Sequence, residues 1–415
     1  MDAADSVRTA KGKHWLLSAS PLQRRALLAA SLGWMLDSMD VMLYALVLPQ
    51  AQKDLHMSTA VGGLLMSLTL ISAAAGGITF GWLADRIGRA RALMASILIY
   101  SIFTGACGFV HTVVQLAVCR ILLGIGMGGE WAAGAALVAE TWPDEHRGKA
   151  LAVVQSSWAI GYALGAAITA LVMPHFGWRA VFFVGVIPAL ITLWIRRRVK
   201  EPEIWREKKT KSVAGLRVIF RGELGRRTLI ATSMNAATLF AWWGLFFWIP
   251  GFLSMPASQG GRGLTVVQTS TWTILMQVGT FLGYVSFGFF ADRFGRKRTY
   301  ISYLVMAAIV VPFYAHIQND ILLLCVGPLV GFFGSGYFSG FGVISSELFP
   351  TAVRATAMGF TYNFGRILSA AAPFAVGRIS EHSGLGGALS ITSFGFLLAA
   401  ILACGLTETR GKSLE

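Results

Sequence analysis

Five ionisable residues of this 415-residue chain stand inside stretches that otherwise carry no charge: Asp37 and Asp40, Arg120 and Glu130, and Arg366. Asp37 and Asp40 are three apart and share one face of a helix, with Tyr44 one turn further along. A carboxylate in a low-dielectric medium takes up a proton more readily than in water, so this pair suits a group whose charge changes with its access to solvent. Arg120 and Glu130 are ten apart, close to three turns, which puts them on one face about 15 Å apart and beyond each other's reach. Each therefore needs another partner or water. Arg366 follows Asn363 by one turn and is the lone interior cation of the second half of the chain. Its planar fork of donors matches a carboxylate. It can dock an acidic guest, neutralise Asp37 or Asp40, or do each in turn, an exchange that links proton to anion. The plainer reading of each residue is a structural ion pair or a helix–helix hydrogen bond.

Polar and aromatic residues on shared helical faces extend the candidates for a cavity lining: Gln155 with Trp158 and Tyr162, Asn235 with Trp242, Gln277 with Tyr284, and Tyr337. Buried amides need partners, which favours inward orientation. An aromatic stripe more often packs or faces lipid than binds a ligand.

The elements that must position these residues follow from composition. The chain is 55% apolar, 12% aromatic and only 13% charged, with 47 Gly, where a soluble domain is about a quarter charged. That excludes a soluble two-domain enzyme, a disordered protein and a disulfide scaffold. A bilayer core of about 30 Å takes roughly 20 apolar residues as helix. Such runs fall near 26–49, 61–84, 92–110, 113–137, 150–173, 180–195, 228–253, 265–290, 300–316, 321–343, 355–377 and 384–406. Twelve transmembrane helices are therefore expected, in an all-α membrane protein. Strand alternation is absent, which argues against a barrel. With both termini on one side, 29 of the 35 Lys and Arg fall on that side. Lys53, Arg179, Arg262 and Arg378 fall on the other, and Arg120 and Arg366 lie within spans. This bias places both termini in the cytoplasm. The net charge of +15 is then a topological signal with some attraction for anionic lipid, not a nucleic-acid surface. The polar first 23 residues carry no cleavage signal, and Cys107, Cys119, Cys325 and Cys404 sit unpaired in apolar helices as packing residues.

Two motifs recur at one offset. Gly81-Trp-Leu-Ala-Asp85-Arg86-Ile-Gly88-Arg89 returns as Gly288-Phe-Phe-Ala-Asp292-Arg293-Phe-Gly295-Arg296, 207 residues later. Glu140-x-x-Pro143-x-x-x-Arg147 returns at the same offset as Glu347-x-x-Pro350-x-x-x-Arg354. The offset implies a duplicated unit of six helices. It divides the chain into bundles 1–195 and 228–415, joined by a basic cytoplasmic linker, 196–227, with twelve Lys/Arg and four Glu. The loop charges are duplicated and the five intramembrane charges are not, which separates scaffold and gate from site.

The doubled G-x-L-A-D-R-x-G-R loop and the basic central loop resemble the major facilitator superfamily across essentially the whole chain. Leu36-Asp37-Ser38-Met39-Asp40 resembles the Asp-Gly-Phe/Tyr-Asp signature of its organic-acid:proton symporters, with Ser38 standing where the signature has Gly. Arg120-x-x-x-Gly124-x-Gly126-x-Gly128-Gly129-Glu130, Trp178-Arg179, Trp248-Ile-Pro250 and the closing Thr407 to Glu415 point the same way. The branches it resembles carry sialate, lactate or pyruvate, nicotinate and aromatic acids. The resemblance implies a secondary transporter, not an enzyme, that moves a small organic monocarboxylate with a proton by alternating access. It assigns proton coupling to Asp37, Asp40, Arg120 and Glu130. It assigns gating to the loop groups Asp85, Arg86, Arg89, Glu140, Arg147, Asp292, Arg293, Arg296, Glu347 and Arg354. Arg366, with Asn363, Tyr44 and the amide and aromatic residues above, is then the substrate set. A sugar or polyol symporter and an efflux antiporter of an organic anion remain as rivals. A membrane sensor is disfavoured by the short polar tails. No cofactor beyond the proton and no partner beyond guest and lipid is expected. A monomer in a bacterial inner membrane completes the picture. Gly124-x-Gly126-x-x-Gly129 formally matches a dinucleotide loop, but it follows no strand and reads as close helix packing.

Overall fold

The computed structural model describes residues 16, 19–187, 189–190, 194, 216–350, 353–406 and 408. Among these residues the regular structure is wholly helical. The first half of the chain holds α1 (Pro21–Asp54), α2 (Thr59–Ile87), α3 (Arg89–Ala106), α4 (Val113–Thr141) and α5 (Asp144–Val184). The second half holds α6 (Gly222–Phe246), the short α7 (Ile249–Ser254), α8 (Val266–Phe294), α9 (Arg296–His316), α10 (Asp320–Gly336), α11 (Phe338–Leu348), α12 (Arg354–Ser369) and α13 (Ala371–Cys404).

Helix starts are set by side-chain caps. Ser20, Thr112 and Thr265 each form a capping box with a Gln three residues on, and Ser58 and Asn319 cap α2 and α10. The 207-residue offset recurs in this detail. Ser58 and Thr265 cap α2 and α8, Thr112 and Asn319 cap α4 and α10, and Gly88 and Gly295 turn at φ 111° and 100°.

Twelve spans are not what the structure describes. Ten helical stretches among the described residues are long and apolar enough to cross a membrane. The expected fifth span and the start of the sixth run together in His146–Val184, where Gly177 (φ 76°, ψ 174°) is the interruption. Of the rest of the sixth, residues 188, 191–193 and 195 lie outside the described residues. The expected eleventh and twelfth run together in Ala357–Cys404, interrupted at Gly384 (φ 70°, ψ 163°). Glycine adopts this left-handed backbone without a Cβ penalty, so one residue redirects the chain with no loop to mark it. The architecture is therefore an all-α, multi-span membrane fold with ten long apolar helices, and the expected twelve-helix count in two six-helix repeats is withdrawn. The linker 196–227 also falls largely outside the described residues.

Two stretches form the centre. Pro21–Asp54 is 78% buried over its most apolar window and Gly222–Ser254 is 89% buried, against 33–61% for the other eight. The outer helices turn large apolar side chains such as Ile78, Phe109, Leu171, Phe289 and Ile401 outward, as a lipid-facing belt requires. Within the first half α1 packs on α5 and α2 on α4, while in the second half α8 packs on α10 and α6 on α12 and α13. The halves meet where α5 lies on α8, α2 on α12 and α13, and α1 on α7. The Gly-rich run of α4 serves these close approaches: a Cβ at Gly126 would lie 2.7 Å from the Tyr100 backbone nitrogen on α3.

Candidate functional site

All five intramembrane charges are buried, none more than 2% exposed, and they are the only charged side chains in that class among the described residues. α1 is unbroken through both aspartates. Its Ser38 hydroxyl donates to the Trp158 carbonyl of α5 at 2.8 Å, so the serine that departs from the signature fastens two helices together. Asp40 accepts a hydrogen bond from the Thr104 hydroxyl of α3 at 3.2 Å through Oδ2, while its Oδ1 has no hydrogen-bond partner. Asp37 Oδ2 is likewise without a partner, and the carboxyl lies in the field of Arg366 from α12.

Arg120 of α4 lies over the Tyr44 ring, 4.4 Å from guanidinium carbon to centroid. One of its terminal nitrogens reaches the Met66 sulfur at 3.1 Å, and Nε and Nη1 have no partner. The Tyr44 hydroxyl donates to the Gly62 carbonyl at 3.0 Å, and its ring stacks on Phe247 of the other half at 5.8 Å. The ring is thus committed to holding Arg120 in place across α1 and α2. Glu130 packs one carboxyl oxygen against Gly33 of α1, where a Cβ would collide with it, and its Oε2 has no partner. Arg366 rests over Tyr362 at 5.2 Å with its Nε without a partner.

The amide and aromatic candidates divide into two groups. Asn235 Nδ2, Gln277 Nε2 and Trp158 Nε1 are buried donors with no partner. The Tyr284 hydroxyl faces Gln155 across the α5–α8 contact, and Trp242 Nε1 donates to Ser335 at 2.9 Å. In contrast, the Tyr337 hydroxyl is spent on the Thr238 carbonyl at 3.2 Å and its ring packs against Tyr300, so it belongs to the interior of the second half. Asn363 is half-buried, bonds its own helix at Gly359 and leans its side-chain oxygen toward Gly77 of α2.

Four indoles gather where the halves meet. Trp158 lies 4.8 Å from Trp34, 5.6 Å from Trp242 and 6.2 Å from Trp243. Trp34 and Trp243 were not among the sequence candidates; Trp34 stands three residues before Asp37, on its face of the helix, while Trp243, adjacent to Trp242, carried no such signal. The Tyr162 hydroxyl adds a tie across the halves, donating to the Phe246 carbonyl at 3.0 Å.

The loop groups are less fully described. The side chains of Asp85, Arg89, Glu347 and Arg354 lie outside the described residues. Arg86 is exposed and stacks over Trp82 at 3.8 Å, Asp292 is exposed, and Arg293 lies 5.5 Å from the Phe294 ring. Glu140, Arg147 and Arg296 are half-buried, and the Arg296 backbone N–H donates to Glu408 at 3.0 Å. At the end carrying the α1–α2 loop, Glu381 of α13 accepts the Ala60 backbone N–H of α2 at 3.2 Å and pairs with Arg378. Nearby the Ser67 hydroxyl accepts the Phe374 N–H at 3.3 Å. Beside this contact lies a cavity of about 570 Å³ lined by Lys53, His56, Gln259, Glu381 and His382 among others. Sequence reasoning missed Glu381, since a contact 321 residues apart leaves no local pattern. Among the described residues no three His, Cys, Asp or Glu are grouped to hold a metal ion.

Comparison with known proteins supplies the wider setting. The Major Facilitator Superfamily profile matches residues 30–261 and 252–414. A Cupriavidus pinatubonensis protein described as a probable 4-methylmuconolactone transporter is 35% identical over 411 residues, spanning 97% of this chain and 94% of that one. The cis,cis-muconate transport protein of Acinetobacter baylyi is 32% identical, spanning 92% of each. Among solved structures, a D-xylose–proton symporter superimposes with a TM-score of 0.75 at 20% identity over 95% of this chain, a likeness of fold.

Proposed function

Because the chain belongs to the major facilitator superfamily and is a membrane transporter of a small organic solute rather than an enzyme, we propose that it carries a small organic monocarboxylate together with a proton by alternating access. One observation supports this above the rest. Among the described residues the buried interior holds donors without partners, namely Arg120 Nε and Nη1, Arg366 Nε, Asn235 Nδ2, Gln277 Nε2 and Trp158 Nε1. A buried donor left unpaired costs about 1–3 kcal/mol, so the set suits a guest rich in acceptors and bearing negative charge. In this reading Arg366 receives the carboxylate and displaces Asp37, which takes a proton as its counter-charge leaves. Arg120, held by Tyr44, keeps Asp40 company and completes the field around the guest. The four indoles offer flat apolar walls, which suits a planar conjugated acid better than a bulky polyol.

The relatives named above are a cis,cis-muconate transport protein and a probable 4-methylmuconolactone transporter, which supports an organic acid as guest. The units 1–195 and 228–415, joined by 196–227, would move against each other in a bacterial inner membrane, as a monomer with both termini cytoplasmic. The duplicated loops would gate the inner end. A neutral sugar gives no reason to keep a cation at Arg366. The test is uptake into proteoliposomes under an imposed pH step, with benzoate, nicotinate, lactate, sialate and glucose in parallel. Accumulation of an acid and not of glucose, abolished by Asp37→Asn, is the expected result; accumulation of glucose alone overturns the reading.

A further inference from the structure

We propose that Glu130 holds a resident proton throughout the cycle, and that the proton which travels with the guest rides on Asp37. Among the described residues the buried charges are two guanidinium groups, Arg120 and Arg366, and three carboxyls, Asp37, Asp40 and Glu130. With all five ionised the interior carries one uncompensated negative charge. A guanidinium does not give up its proton, and an unpaired buried charge is the costliest arrangement available. One carboxyl of the three is therefore neutral when the carrier is empty.

Geometry selects which. Asp40 lies in the field of Asp37, as Glu130 does, but it also has the Thr104 hydroxyl at 3.2 Å and the field of Arg120. Asp37 lies in the field of Arg366. Glu130 has neither. Among the described residues, the charged side chain in whose field it lies is Asp37 on α1, a like charge. From α3 it meets the neutral Tyr100, whose hydroxyl has no partner of its own, and beside Gly129 the α2 face presents Phe80. Arg120 stands on the same helix but roughly 15 Å away along its axis. A proton on Glu130 removes the unpaired charge and its repulsion with Asp37 in one step. When a monocarboxylate arrives at Arg366, it adds one negative charge. One further proton, taken from the same aqueous side onto Asp37, restores neutrality and leaves with the guest on the other side. The Glu130 proton stays.

The transport half of this inference rests on the symport reading; the protonation state does not, so the two fail separately. Infrared spectra of the purified full chain should contain a carboxylic-acid C=O stretch that persists from about pH 6 to about pH 9, far above the range of a free glutamate. The band should vanish in Glu130→Gln, and shift in the unaltered chain when glutamate, but not aspartate, carries ¹³C. In proteoliposomes, Glu130→Gln should leave the ratio of protons to benzoate or nicotinate moved at one, whatever its rate, while Asp37→Asn loses pH-driven accumulation. A band that titrates away, that shifts with labelled aspartate alone, or that survives in Glu130→Gln overturns the assignment. So does a Glu130→Gln whose proton-to-acid ratio falls below one. If the parent moves neither acid, the symport reading falls and the band still decides the resident proton.

Discussion

Arg366 separates docking from mere neutralisation, because the two uses ask different things of its shape. A counter-charge for Asp37 needs a cation; a carboxylate seat needs the flat fork of donors that lysine lacks. Arg366→Lys should therefore retain expression and folding but weaken acid uptake, with KM raised at least about tenfold, a loss near 1.4 kcal/mol. Unchanged KM in both Arg366→Lys and Arg366→Ala would remove Arg366 from the binding set. Ser38 offers a second test at this scale. Replacing it by Gly restores the signature but deletes the 2.8 Å bond to the Trp158 carbonyl and adds a flexible residue to a helix interior. A hydrogen bond of this kind contributes about 0.5–1.5 kcal/mol and mid-helix Gly costs about 1 kcal/mol more, so the melting temperature of Ser38→Gly should fall while transport persists. The residues carrying charge were legible in the sequence because an ionised group in an apolar run announces itself through its desolvation cost. Their partners were not. Arg120 meets the Tyr44 ring from a different helix, and nothing local to either residue encodes that meeting. Tyr337 shows the converse: its type and spacing fitted a cavity lining, yet its hydroxyl serves the Thr238 carbonyl.

At the scale of helices, caps and apolar lengths were readable because they depend on residues three or four apart. The count was not, because helix continues through the breaks at 174–179 and 378–383 that separate the apolar runs, and the chain turns only at Gly177 and Gly384. The 207-residue offset reaches these turns too, since 177 and 384 are one offset apart. The contact that closes the α1–α2 end is also an element-scale property. Glu381 acts as a cap for α2 supplied by α13, and a charge-assisted bond to the exposed amides of a helix start is about twice as strong as a neutral one. This end can open only if that bond and the Ser67–Phe374 bond break. Glu381→Gln keeps the shape and removes the charge. Hydrogen exchange of the 59–67 and 372–381 amides should accelerate in this variant while exchange in α9 stays at the parental rate. Equal acceleration everywhere would mean that Glu381 supports global stability instead of this closure.

For the whole molecule, the interior charge count sets how transport responds to voltage. If the empty carrier is neutral with its resident proton, and the loaded carrier is neutral with one travelling proton per monocarboxylate, no net charge crosses the membrane in either reorientation. Moving one elementary charge through 100 mV is worth about 2.3 kcal/mol, roughly a fiftyfold change in accumulation. A potassium-diffusion potential imposed at constant pH should therefore alter the steady-state accumulation of benzoate or nicotinate by less than about twofold, whereas a pH step should drive it. A dicarboxylate such as muconate sharpens the experiment. With the single travelling proton of Asp37 it would carry one negative charge inward, so an interior-negative potential should depress its uptake by tens of fold while leaving the monocarboxylate alone. Strong voltage dependence of the monocarboxylate would mean that a second carboxyl exchanges its proton in each cycle, and Asp40, whose Oδ1 lacks a partner, would be the next group to neutralise.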